Sequence, residues 1–144
     1  MVSALARKNL EAHIKGERAQ DLSALLAPLS ETVSYVVPDY VLHGRAAIAE
    51  MYRRVMPSFS PALADEYLRA LDDPTVARWG DNHCVLEYSE AYPLHRGMVV
   101  IIHFEGDHVK SENTYFATTR GFMAARAHHQ LGDIPGAIPI DSDH

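Results

Sequence analysis

Val33-Ser34-Tyr35-Val36-Val37-Pro38-Asp39, followed closely by Leu42-His43-Gly44-Arg45-Ala46-Ala47-Ile48, is the stretch on which the fold turns. Residues 32 to 37 form a β-branched and aromatic run, which favours a half-buried strand, and Pro38-Asp39 is turn chemistry that ends it. Beyond Gly44-Arg45, the apolar residues Ile48, Met51, Tyr52, Val55 and Met56 repeat at the spacing of one helix face, and Pro57 closes that helix. A strand thus passes through a short loop into an amphipathic helix.

On the N-terminal side, Leu5, Leu10 and Ile14 follow Ser3, a good N-cap, and predict a helix over 3–15 that stops at Gly16. Leu22, Leu25, Leu26 and Leu29 behind Asp21 predict a second helix, limited by Pro28, that makes a hairpin with the first. On the C-terminal side the texture is strand-like around 64–72, 76–79, 82–92, 96–105 and 108–117, with breaks at Asp72-Asp73-Pro74, Gly80-Asp81, Pro93 and Gly106-Asp107. Glu105-Gly106-Asp107-His108 is a hairpin connection, so the last two strands are expected to be antiparallel neighbours. Phe122 to Leu131 reads as a short closing helix. The breakers Pro135, Gly136 and Pro139 make 133–144 a tail outside a single domain over 1–132. Helices first and strands later predict an α+β domain with helices on one face of a curved sheet.

Composition narrows the function classes. A chain of 144 residues with 47% hydrophobic and 22% charged residues has the makeup of one ordinary globular domain. The net charge of −6 and scattered basic residues argue against nucleic acid as a partner. No signal-peptide core and no apolar run long enough to span a bilayer is present, which predicts a cytoplasmic protein without a membrane partner. The single cysteine, Cys84, excludes an internal disulfide and a multi-cysteine zinc site. His103, Glu105, Asp107 and His108 cluster around a hairpin, but the intervening turn separates them, so no metal site is predicted. Nucleotide-loop, zinc-protease and serine-hydrolase motifs are lacking, and no cofactor is expected.

The Val33–Ile48 stretch resembles the strand, loop and Gly-Arg helix start of the nuclear transport factor 2-like superfamily, in particular its SnoaL-like branch of polyketide cyclase and ketosteroid isomerase relatives. Gly106-Asp107-His108-Val109-Lys110-Ser111-Glu112-Asn113-Thr114-Tyr115-Phe116 resembles that branch's final strand, and Gln130-Leu131-Gly132 its closing helix end. The resemblance implies a cone-shaped α+β barrel, a mostly antiparallel curved sheet wrapped around the N-terminal helices with an apolar pocket between them. It also implies a homodimer formed through the sheet, and Val99 to Ile102, apolar on both faces of one strand, suit a sheet covered on both sides. The superfamily includes cyclases, isomerases, dehydratases and epoxide hydrolases as well as members that only bind or assemble, and fold does not choose among them. Several catalytic relatives carry an aspartate on the final strand, where this chain has Asn113 and Thr114.

Cofactor-free chemistry of that kind needs a general acid or base facing an apolar pocket. Strand alternation places Lys110, Glu112, Thr114 and Phe116 on one face, the face that carries the acid in the relatives, so Glu112 is the first catalytic candidate. Tyr35 could donate to a developing oxyanion, His83 could work as acid or base, and Asp39 stands at the expected pocket mouth. Tyr52, Tyr88, Met98, Thr114 and Phe116 are candidates for binding the substrate. The expected function is general acid/base catalysis of a cyclase, isomerase or dehydratase type on a small apolar carbonyl- or hydroxyl-bearing molecule. The alternatives are a non-catalytic binding or assembly module, and an epoxide hydrolase.

Overall fold

Ser3 opens the first helix: its side chain accepts from the Ala6 N–H, and α1 runs Ala4–Ala19 to a left-handed Gln20. The structure, a computed structural model, describes residues 1–37, 39–116 and 131–140, with only the backbone of Phe116. Gly16 was expected to stop α1, but it lies inside the helix, where a Cβ would stand 2.5 Å from the backbone nitrogen of Leu25. The missing side chain lets α2, Leu22–Leu26, pack directly on α1. Asp21 caps α2 by accepting from the Ala24 N–H.

The strand of the opening stretch is longer than the sequence pattern suggests, with β1 spanning Leu29–Val37, and Tyr40–His43 forms β2 against it where only a loop was expected. The helix α3 covers Arg45–Val55 and gives way to a 3-10 turn at Met56–Ser58 containing Pro57, as expected. Where a strand was expected at 64–72 the chain instead forms a helix, α4, Pro61–Leu71. Ser60-Pro61 is a helix start, with proline at the first helical turn, and Ala64, Tyr67 and Leu71 are buried at helical spacing.

The remaining strands are β3 (Ala77–Trp79), β4 (His83–Glu87), β5 (Met98–Glu105) and β6 (His108–Phe116). The strand expected over 82–92 ends at Glu87, so the segment from Tyr88 to Gly97 is free to fold over α4. Ile138–Pro139, inside the expected tail, pairs antiparallel with β2 as β7, while Leu131 and Ile134 are buried in the core. The sheet order is β3-β4-β5-β6-β1-β2-β7, antiparallel throughout except for the parallel pair β1 and β6. The architecture is therefore α+β, as expected, with a mixed sheet that is open between its edge strands. The closing helix expected over 122–131 lies outside the described residues, apart from Leu131.

Parity along β5 and β6 decides what faces the helices. Met98, Val100, Ile102 and Phe104 alternate inward on β5. On β6 the register slips between His103 and Phe104, so Phe104 faces Val109 while His103 faces Ser111. Lys110 is thus an extra residue, and the bulge puts Val109 and Glu112 on the buried side while Lys110 itself is exposed. The expected grouping of Lys110 with Glu112 is corrected by that single insertion.

Candidate active site

The site is built where α1, α3 and α4 meet the inner face of the sheet. Tyr35 of β1 is the direct register partner of Glu112 of β6, so both side chains rise from adjacent strands on one face. Over them lies α1, whose buried stripe of Ala6, Leu10, His13 and Ile14 carries His13 inward, with Glu17 one turn further on. Tyr52 comes from α3, Glu66 and Tyr67 from α4, and His95 from the segment after β4.

His13 is the hub. Its Nδ1 donates to the Leu25 carbonyl at 2.7 Å, which turns Nε2 toward the sheet. Around Nε2 stand the Tyr52 hydroxyl at 3.1 Å, the Tyr35 hydroxyl at 3.2 Å, Glu17 Oε1 at 3.2 Å and Glu112 Oε2 at 3.5 Å. The Tyr52 hydroxyl donates to Glu17 Oε1 at 2.6 Å. Burial alone would lower the His13 pKa, but the Glu17 and Glu112 carboxylates beside it outweigh that effect and raise it to about 10. Burial, reinforced by the same carboxylates, holds the Tyr35 and Tyr52 hydroxyls well above the usual phenol range, so both keep their protons.

Beside this cluster is a cavity of about 20 Å³, room for one water-sized group, whose walls include Glu17, Phe59, Leu63, Tyr67, His95 and Glu112. Glu112 Oε1 accepts from the Tyr67 hydroxyl at 3.3 Å, whereas its Oε2 is buried without a hydrogen-bond partner among the described residues. The separation from His13 Nε2 is an ion-pair distance, too long to satisfy that oxygen. On the same cavity, His95 Nδ1 donates to Glu66 Oε2 at 2.5 Å, and Glu66 Oε1 accepts from the Leu94 N–H at 3.3 Å. The Tyr88 ring stacks on His95 with centroids 4.6 Å apart. Burial lowers the His95 pKa in spite of Glu66 and so favours the neutral ring, in which Nδ1 keeps the proton it gives to Glu66 and Nε2 carries a lone pair.

Of the residues singled out in the sequence, Glu112, Tyr35 and Tyr52 meet in this cluster, and Glu112 alone of them lines the cavity. Tyr88 supports His95 from behind; Met98 and Thr114 are buried on the same sheet face without reaching the cavity. His83 belongs to the opposite face, half-buried opposite His103 with ring centroids 6.1 Å apart. Asp39 is exposed in the β1–β2 turn at a φ of 72°, where its carbonyl accepts from the Ile140 N–H. Neither His83 nor Asp39 joins the cluster, because strand parity turns one away and the turn keeps the other at the surface. The Phe116 side chain lies outside the described residues.

Five members of the site were missed by sequence reasoning: His13, Glu17, Glu66, Tyr67 and His95. The first pair was readable, since His13 falls on the stripe of Leu10 and Ile14, and Glu17 follows at i+4. Reading 64–72 as a strand hid Glu66 and Tyr67, and nothing local marks His95. Among the described residues no group of three or more His, Cys, Asp or Glu side chains could hold a metal, and no helix is long and apolar enough to cross a membrane.

No protein-family model and no curated protein matches the chain. Among solved structures, a nuclear transport factor 2-like protein from Anabaena variabilis is similar at a TM-score of 0.55 and 17% identity, over 79% of this chain and 87% of that one. A SnoaL-like protein of unknown function from Burkholderia thailandensis is similar at 0.52 and 18% identity, over 82% of this chain and 99% of that one. A de novo designed protein with a curved β-sheet gives 0.56 and 13%, over 90% of this chain and 99% of that one. The helical hairpin, the strand and Gly-Arg helix, and the mixed sheet with helices on its inner face agree with these likenesses: the chain has the nuclear transport factor 2-like fold.

Proposed function

We propose that the protein is a cofactor-independent proton-transfer catalyst of the isomerase or lyase type, acting on a small carbonyl- or hydroxyl-bearing molecule at the Glu112 cavity. The observation that carries this reading is Glu112 itself: a buried carboxyl group with one oxygen unmatched, on the wall of a cavity it shares with His95 and Tyr67. Glu112 Oε2 and the His95 Nε2 lone pair are the two positions able to take a proton from a bound carbon acid and return it. Glu66 orients His95 as a carboxylate orients a catalytic imidazole. Tyr67, held protonated chiefly by burial, donates its one hydroxyl proton to Glu112 Oε1 and so orients that carboxyl group. His13 stands beside Glu112 at 3.5 Å and is itself held by Tyr35, Tyr52 and Glu17 around its Nε2, so these four act as positioning residues.

Isomerisation of β,γ-unsaturated ketones and dehydration of β-hydroxy ketones both yield a conjugated enone, whose absorbance gives one readout for a compound panel. Enone formation by the wild type, reduced by about a hundredfold or more in Glu112→Gln, is the expected result. Equal rates in the two proteins would remove Glu112 from the chemistry.

The size of the cavity favours a second reading, a binding or assembly module in which the polar cluster is structural, since about 20 Å³ admits no whole substrate without movement of the wall. Enone formation by no member of the panel supports this reading over catalysis. The acid-arginine-acid arrangement wanted for epoxide hydrolysis is not formed by the described residues that line the cavity.

A further inference from the structure

The balance of charge around the cavity restricts what can enter it. Glu17 and Glu112 both reach its wall, and no lysine or arginine does among the described residues. The nearest cationic group is His13, which both carboxyl groups share at 3.2 and 3.5 Å. Two carboxylates against one imidazolium leave an excess of negative charge, and a neutral His13 leaves a larger one, so the sign of the field does not depend on the state of His13. A carboxylate or phosphate ligand would be repelled from such a site.

The unmatched atom is an acceptor. Glu112 is 5% exposed, and among the described residues its Oε2 has the ion pair with His13 at 3.5 Å but no hydrogen bond, so the carboxyl group on the cavity wall keeps unused acceptor capacity. The Tyr67 hydroxyl is already directed to Oε1. Phe59 and Tyr67 line the same wall, and an aromatic face attracts a cation through its ring quadrupole. The space matches one water-sized group, which is also the size of an ammonium head.

We propose that the cavity receives the cationic end of its ligand, a protonated amine seated against Glu112 and Glu17 beside the rings of Phe59 and Tyr67. An ammonium seated there occupies the acceptor that the reading above assigns to a carbon acid, so this inference rests on that reading only in placing the ligand at Glu112. It shifts the expected substrate from a purely apolar molecule to one whose leading end is an amine.

The test compares three probes that share a ring and differ in charge, benzylamine, benzyl alcohol and benzoate, by isothermal titration calorimetry on the whole chain at neutral pH. Benzylammonium is expected to bind saturably in the millimolar range and about tenfold or more tighter than benzyl alcohol, with benzoate not binding. Glu112→Gln is expected to abolish the preference, and Glu17→Gln to reduce it, with circular dichroism confirming that each variant is folded; either variant suffices if the other fails to fold. Equal affinity for the alcohol, binding of benzoate, no saturable binding of benzylammonium, or a preference that survives in the folded variants would overturn the proposal. An amine preference without enone formation leaves this inference standing and removes the catalytic one; enone formation from neutral ketones without an amine preference does the reverse.

Discussion

The stability of this protein should fall as pH rises from neutrality, and His13 is the cause. Its pKa stands near 6.5 in an unfolded chain and at about 10 in the folded one, because Glu17 and Glu112 outweigh the effect of burial. The folded state therefore holds a proton that the unfolded state releases. The stabilisation is complete below the unfolded value and is lost as pH climbs toward the folded value. One proton corresponds to about 1.4 kcal/mol for each pH unit inside that window, so moving from about pH 7 to about pH 8.5 costs about 2 kcal/mol. The full separation of the two values sets a ceiling on the order of 5 kcal/mol. Cys84, whose thiol burial pushes up from 9.0 to about 12, adds a loss of the same sign only above its unfolded value, which is why the measurement stops short of pH 9. Urea unfolding at several pH values, on wild type and His13→Gln side by side, isolates this proton because the other titrations cancel in the difference. The variant is expected to be less stable at neutral pH, since it leaves two carboxyl groups facing each other, and to lack the alkaline slope. A wild-type stability that is flat or rising between those pH values, or a variant with the same slope as the wild type, would refute the reasoning.

Tyr52→Phe removes a hydroxyl that donates to Glu17 at 2.6 Å and lies 3.1 Å from His13 Nε2, leaving a partly buried carboxyl oxygen one donor short. A loss of about 1 to 3 kcal/mol in urea unfolding is expected, and a change within measurement error would show that the cluster rearranges around the gap. Gly16→Ala would gain about 1 kcal/mol in an exposed helix, but here the new Cβ meets the Leu25 backbone at 2.5 Å, so a net loss is expected as a lower melting temperature. A raised melting temperature would mean that α2 can move off α1 at no cost.

Much of the fold was legible because it depends on patterns of short range. Ser3 and Asp21 cap the helices they were expected to cap, Pro57 follows α3, and the Gly106-Asp107 connection joins antiparallel β5 and β6. Ala64, Tyr67, Leu68 and Leu71 stand at the i, i+3, i+4 and i+7 positions of a helix face behind the Ser60-Pro61 start signal, so α4 was legible in the sequence although a strand was expected there. β7 escaped notice because two residues paired to a remote edge carry no periodic pattern. At the site, Glu112, Tyr35 and Tyr52 were found as polar groups on elements expected to face inward. Glu66 and His95 lie 29 positions apart and meet only after the segment beyond β4 folds over α4.

Taken alone, the sequence determined the helical hairpin, the strand and helix around Gly44-Arg45, the antiparallel closing strands, the α+β class and Glu112 as the foremost carboxyl, since capping, periodicity and turn chemistry act between near neighbours. Only the tertiary structure decided which side chains share a space. The bulge at Lys110 sets Val109 and Glu112 on one side, parity turns His83 to the other, and α1 brings His13 and Glu17 over Glu112. The field at the cavity follows from those placements, because the pull of a carboxylate on an imidazole depends on distance through space and on the exclusion of water, neither of which is written between adjacent residues.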